Sequence, residues 1–248
     1  MPRHQAKSRC RRRSDRTHAF VPLCPSNESE ASGDNDLMPV VLRVDPSDPD
    51  LGALGQAAEA IGLGLVVAYP TDTLYGLAVD PRNADAVRRL FALKGRPESS
   101  ALTLIASDLD QVCAGGELSA DAQRLADQWW PGPLTIVLRA RHGLVADALA
   151  GGSTVGVRVP GHPVARALAR VASFCITATS ANRSGEPAAS SADGVVQSLP
   201  GVDVVLDAGE SRGGAPSTIV DASKDTIALV RAGAIPWERV LKSLSSGA

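Results

Sequence analysis

From residue 40 onward, apolar residues fall into two rhythms that alternate along the chain. Short unbroken apolar runs, as at Leu65-Val-Val-Ala-Tyr69 and Leu134 to Leu138, have the length of buried strands. Elsewhere the spacing is three or four: Val87, Leu90, Phe91 and then Lys94 keep the period of a helix with one buried face. On this basis strands are expected at 65–69, 102–106, 134–138, 154–159, 174–178, 202–206, 217–220 and 227–230. Helices are expected at 51–61, 85–94, 119–129, 163–171, 190–199 and beyond Pro236. The punctuation agrees with these limits. Gly62 and Gly64 stop the first helix, Pro70 ends the first strand, Ser119 is placed to cap a helix, and Pro131-Gly132-Pro133 separates that helix from the next strand. About eight strands interleaved with about six helices, without a repeat or long linker, predict one mixed α/β domain of α+β type over residues 38–248. The hairpin-like pair near the C-terminus points to a mixed rather than a parallel sheet.

Residues 1–37 have neither rhythm. They start basic, from Arg9 to Arg16, and turn polar and acidic from Ser26 to Asp36. Such a composition buries too little apolar surface to offset the entropy of ordering, so the segment is expected to be disordered or an extension foreign to the native protein. A nucleic-acid-binding arm is the weaker reading. The segment carries a net charge of +2, which leaves −4 on the rest of a chain whose total is −2. An acidic body argues against a broad phosphate-tracking surface, though not against a local basic cleft. With 44% hydrophobic residues but only 3% aromatic, the core is built from Val, Leu, Ile and Ala. No apolar run reaches the length a bilayer needs. Cys10, Cys24, Cys113 and Cys175 are scattered, with no CxxC and no His at ligand spacing, so free thiols, a cytoplasmic setting and no protein metal site are expected.

Phosphate-loop, dinucleotide, nucleophile-elbow and zincin motifs are all absent, and His142 and His162 stand alone. Polar and cationic residues instead gather at strand ends, where α/β sites usually lie. Pro70-Thr-Asp-Thr-Leu-Tyr-Gly76 crowds Thr71, Asp72 and Thr73 at a strand exit, either as ligand groups or as a strand-to-helix turn capped by its own side chains. Lys94-Gly-Arg-Pro97, followed by Ser100, sets two cations two residues apart, which either grip one polyphosphate or complement a helix dipole. Thr179, Ser180 and Asn182 leave donors at another strand end. Thr154 and Arg158 share a strand face, and Ser217 and Arg231 border two further strands. An Arg between Val157 and Val159 is costly to bury without an anion, which points to a carboxylate or phosphate partner.

Taken together, PTDTLYGLAVD (70–80), KGRP (94–97), WPGPLTIVL (130–138), VGVRVPGHP (155–163), TSANRSGEP (179–187), STIVD (217–221) and VRAGAI (230–235) resemble the YrdC/TsaC family of threonylcarbamoyl-AMP synthases in its short, single-domain form. The resemblance implies a twisted mixed sheet curled around a deep cationic cavity. It implies condensation of L-threonine, bicarbonate and ATP, with Mg2+, by a nucleotidyltransferase serving the threonylcarbamoyladenosine modification of tRNA. Carried over position by position, Lys94, Arg96, Ser180 and Asn182 form the catalytic lining. Arg96, Ser100, Thr154, Ser180 and Arg231 contact ATP, and Thr73, Arg158, Thr179 and Ser217 contact threonine. Transfer proteins that receive the product are the implied partners, with weak binding of tRNA or double-stranded RNA compatible with catalysis. A non-catalytic RNA-binding protein of the same fold is the alternative. Ala101, Ala188, Ala232 and Ile105 depart from the residues usual at those places in the family.

Overall fold

Most helices begin where the sequence supplies an acceptor for the unpaired amides of the first turn. Asp50 caps α1 (Leu51–Gly62), Asn83 caps α2 (Ala84–Lys94), Asp108 caps α3 (Leu109–Gly115), Ser119 caps α4 (Ala120–Trp129) and Ser191 caps α6 (Ala192–Ser198), each through its side chain. Helix α5 (Pro163–Ala172) has Pro in its first turn and no local side-chain cap. Helix α7 (Trp237–Ser245) follows Pro236. These observations come from a computed structural model that describes residues 38–96 and 101–245. The expected disordered or foreign extension over 1–37 and the expected ligand contact of Ser100 lie outside the described residues.

The strands are β1 (Val40–Arg43), β2 (Val67–Tyr69), β3 (Gly76–Ala78), β4 (Thr103–Ile105), β5 (Gly116–Glu117), β6 (Leu134–Ala140), β7 (Thr154–Arg158), β8 (Ile176–Ser180), β9 (Val204–Asp207), β10 (Thr218–Asp221) and β11 (Ala228–Arg231). They form one twisted mixed sheet in the order β1-β9-β2-β3-β8-β4-β7-β6-β10-β11, with β5 on β6. Parallel pairs (β1/β9, β9/β2, β4/β7, β6/β10) alternate with antiparallel ones, β10/β11 among them, as the C-terminal hairpin predicted. Three apolar clusters hold the helices to the sheet. Leu54 and Ile61 of α1 meet Val164 and Leu168 of α5; Val87, Leu90 and Phe91 of α2 meet Val195 of α6; Val112, Leu125 and Val240 bring α3, α4 and α7 onto Leu134, Ile136 and Leu138 of β6.

Elements not expected from the sequence are short. Strand β3 reads Gly-Leu-Ala, with little strand propensity, and exists because β2 and β8 flank it. Residues 70–75 therefore join two antiparallel strands, with Tyr69 opposite Gly76, and are not a strand-to-helix turn. Strand β8 lies two residues beyond its expected place, because Ser173 ends α5 in the left-handed region at φ 65°. That shift brings Thr179 and Ser180 into the sheet.

The hairpin β10/β11 is locked from behind. Thr218 Oγ1 donates to Ile235 O at 2.7 Å and accepts from Ile235 N at 2.9 Å, and Ala234 N donates to Pro216 O at 2.9 Å. Gly233 permits this approach: a Cβ there would lie 2.3 Å from Pro216 O and 2.5 Å from Thr218 N, with backbone on the other side of each contact. Gly233→Ala is expected to lower stability by about 1–3 kcal/mol, the range for overpacking, seen as a fall in thermal midpoint. An unchanged midpoint would mean that the hairpin is not held this way.

Candidate functional site

Strands β2 and β11 lie seven steps apart in the sheet order. At ~4.8 Å per step a flat sheet would separate them by about 34 Å. Yet Tyr69 of β2 and Arg231 of β11 line one cavity of about 630 Å3, so the sheet wraps around it. Pockets of this size hold small-molecule ligands.

The cavity wall brings together Thr73, Arg96, Arg158, Thr179, Ser180, Asn182, Ser217 and Arg231, drawn from six separate stretches of chain. Three of these are guanidinium groups, and Glu186 is the one carboxylate among the lining residues. Thr154 is not among them. It shares the face of Arg158 but sits four residues back along β7, about 13 Å away. Lys94 is not in the wall either. Gly95 ends α2 in the left-handed region at φ 58°, and this turn sends the two expected partners different ways. Arg96 reaches the cavity, donating from Nη1 to Thr179 Oγ1 at 3.2 Å and from Nη2 to Ala101 O at 3.2 Å. Lys94, only 3% exposed, turns behind it.

Its ammonium donates to Ser180 O, to Asn182 O at 2.8 Å and to Asn182 Oδ1 at 3.2 Å. Ser180 Oγ donates to the same Asn182 Oδ1, whose amide nitrogen donates to Glu186 O at 2.6 Å and Arg183 O at 2.8 Å. Lys94, Ser180 and Asn182 are thus one connected unit that shapes the loop after β8. Burial first, and the charge of Arg96 second, push the Lys94 amine down to about 8.

On the opposite wall, Arg231 donates from Nη2 to Ser217 O at 2.8 Å and to Ser217 Oγ at 3.2 Å. Ser217 Oγ is 2.9 Å from Thr135 Oγ1. Burial, and then the neighbouring Arg158 charge, lower the Arg231 pKa, while burial lowers that of Arg96. Arg158 is 8% exposed. The anion expected beside it is internal: Nη2 donates to the Asp72 carboxylate, and Nε donates to Gly132 O at 2.8 Å. Asp72 also takes Gly161 N at 3.1 Å and His162 N at 2.6 Å, so the acceptor that α5 lacks locally arrives from residue 72.

Thr103 and Thr135 line the cavity and were not singled out by the sequence. The available signal was one hydroxyl in an otherwise apolar strand, in phase with the site face. Ala101, Ile105 and Ala188, three of the departures from the family pattern, are in the wall as well.

A family model described as "Telomere recombination" (Sua5_yciO_yrdC) matches residues 59–233. A threonylcarbamoyl-AMP synthase of Pyrococcus abyssi is 38% identical over 189 residues, covering 75% of this chain and 55% of its own length. One from Bacillus subtilis is 34% identical, covering 78% and 56%. One from Idiomarina loihiensis is 42% identical over 171 residues, covering 66% of this chain and 90% of the relative. The chain thus spans little more than half the length of the first two. Among solved structures, P. abyssi Sua5 complexed with L-threonine superposes with a TM-score of 0.78 at 34% identity, covering 83% of this chain and 61% of that one. Escherichia coli YciO gives 0.73 at 27%, covering 80% and 98%.

The folded Lys94 releases its proton near pH 8, whereas the unfolded side chain does so near the ordinary lysine value. Between the two the unfolded state binds the extra proton, so this residue's contribution to stability rises with pH across that window. Denaturant unfolding of wild type and Lys94→Met at pH 7 and pH 9.5 should show the difference moving in favour of wild type at the higher pH. A pH-independent difference would contradict the burial described.

Proposed function

Because the chain belongs to the Sua5–YciO–YrdC family, we propose that it is a threonylcarbamoyl-AMP synthase, a nucleotidyltransferase that condenses L-threonine, bicarbonate and ATP and releases pyrophosphate. The observation that carries this reading is the meeting of Arg96, Arg158 and Arg231 with Thr73, Thr179, Ser180 and Ser217 around one 630 Å3 cavity. Donors without an acid–base dyad suit a reaction that needs alignment and charge stabilisation more than proton relay.

The threonine amine adds to bicarbonate with loss of water to give a carbamate. A carbamate oxygen then forms a bond to the α-phosphorus of ATP as the bond to the β-phosphate oxygen breaks, and pyrophosphate leaves. Arg96 and Arg231 are the groups to take the triphosphate, since their protein partners are neutral oxygens. Arg158 takes the amino-acid carboxylate, with Thr73, Thr179 and Ser217 around it. Lys94 acts from behind the wall, fixing Ser180 and Asn182 in it. Magnesium would arrive with ATP and offset phosphate charge, and Glu186, the one carboxylate in the lining, is the residue that would hold it. The product serves tRNA modification in the cytoplasm through separate transfer proteins. No helix among the described residues is long and apolar enough to cross a membrane.

Incubation with ATP, magnesium, bicarbonate and labelled threonine should release pyrophosphate only when both threonine and bicarbonate are present. Arg96→Ala should abolish turnover with the circular dichroism spectrum intact. Arg158→Ala should raise the threonine requirement far more than that for ATP. Release independent of threonine would overturn the reading.

A further inference from the structure

The three cavity guanidinium groups are not equivalent. Arg96 and Arg231 meet uncharged oxygens, while Arg158 meets a carboxylate. That carboxylate is pinned by the amides of Gly161 and His162 and does not line the cavity, so a ligand meets the arginine and not the aspartate. Gly161 gives the carboxylate room, since a Cβ there would sit 3.2 Å from Asp72 Oδ2 and crowd it. With Nε on Gly132 O and one Nη2 hydrogen on Asp72, the Nη1 end of Arg158 has no acceptor among the described residues. The edge through which arginine grips a carboxylate side-on is thus occupied, and only the end-on edge remains for a ligand.

We infer that Asp72 is a positioning and specificity residue that sorts the amino acid from the triphosphate, holding Arg158 end-on to the cavity and offsetting its charge so that this end accepts an amino acid and refuses polyphosphate. The inference rests on the reading of the site as one for ATP and an amino acid. An amino acid is a zwitterion of zero net charge and needs aligned donors without net positive potential. A triphosphate carries several charges and is drawn to uncompensated cations. With Asp72 in place, the Arg158 end offers the first and the Arg96 and Arg231 end offers the second. Thr73, next in the chain to Asp72, also lines the wall, so one short turn fixes both the arginine and a hydroxyl for the same ligand.

The test is calorimetric titration of the full chain with inorganic tripolyphosphate, alone and against threonine. Wild type should bind one tripolyphosphate, and threonine should not displace it. Asp72→Asn removes the charge and keeps one carbonyl acceptor, for the His162 amide, while a donor NH2 replaces the Oδ2 that Gly161 N and Arg158 address. It should bind a second tripolyphosphate in competition with threonine and lose it again in the double variant with Arg158→Ala. Threonine affinity in Asp72→Asn should fall about tenfold, as when a hydrogen bond to a charged group is misaligned. Gly161→Ala crowds the carboxylate without removing it and should weaken threonine without opening the second polyphosphate site. Wild-type stoichiometry and no competition in Asp72→Asn would overturn the inference. A wild-type chain that fails to bind threonine would overturn the amino-acid reading instead, while the tripolyphosphate stoichiometries still judge the charge offset.

Discussion

The ammonium of Lys94 is the contact on which the rest of the site depends. A buried cation is costly unless oxygens replace its water, and here Ser180 O, Asn182 O and Asn182 Oδ1 do so. Because those acceptors belong to the end of β8 and the segment after it, and the donor to the end of α2, the contact joins parts of the chain 86 to 88 residues apart. Ser184 N donating to Lys94 O at 2.7 Å repeats the connection through the backbone. The loop that carries Ser180 and Asn182 thereby takes a fixed place beside Arg96, one residue past the glycine that ends the helix. Substituting an arginine at 94 would not reproduce this, since a planar fork cannot converge three donors on one cluster of oxygens.

A second constraint follows from the curl of the sheet. Wrapping eight strands around a narrow space forces inward side chains from distant segments to share it, and cations that share a space repel. The lowered pKa of Arg231, in which the charge of Arg158 has a part, records that proximity. The fold tolerates the crowding by giving each guanidinium an oxygen partner and by placing one carboxylate, Asp72, outside the wall. Satisfied donors with spare hydrogens are pre-organised for anions, so little reorganisation is left for the moment of reaction.

What could be read from the sequence was what local chemistry decides. Apolar period, caps such as Ser119 and breakers such as Pro131 place most helices and strands to within two residues, and most of the residues singled out at strand ends line one cavity. What could not be read depends on partners far along the chain. Strand β3 is Gly-Leu-Ala and is a strand only between its neighbours. Asp72 reads in the sequence as either a ligand group or a local turn cap, but its acceptors serve Arg158, Gly161 and His162, some 86 to 90 residues away. Lys94 and Arg96 looked like one grip until the left-handed Gly95 sent one behind the wall and the other into it. Thr154 shares a face with Arg158 as alternation requires, but sharing a face does not bring it to the cavity. Thr103 and Thr135 escaped notice because a single hydroxyl inside an apolar strand is easily taken for part of the core.

The central claim is that one cavity seats a nucleotide beside an amino acid, each at its own set of arginines. A crystal structure with threonine and a non-hydrolysable ATP analogue measures this most directly. The account predicts the amino-acid carboxylate on the Nη1 end of Arg158 and the phosphates against Arg96 and Arg231. Phosphates seated on Arg158, or either ligand bound outside the cavity, would contradict it.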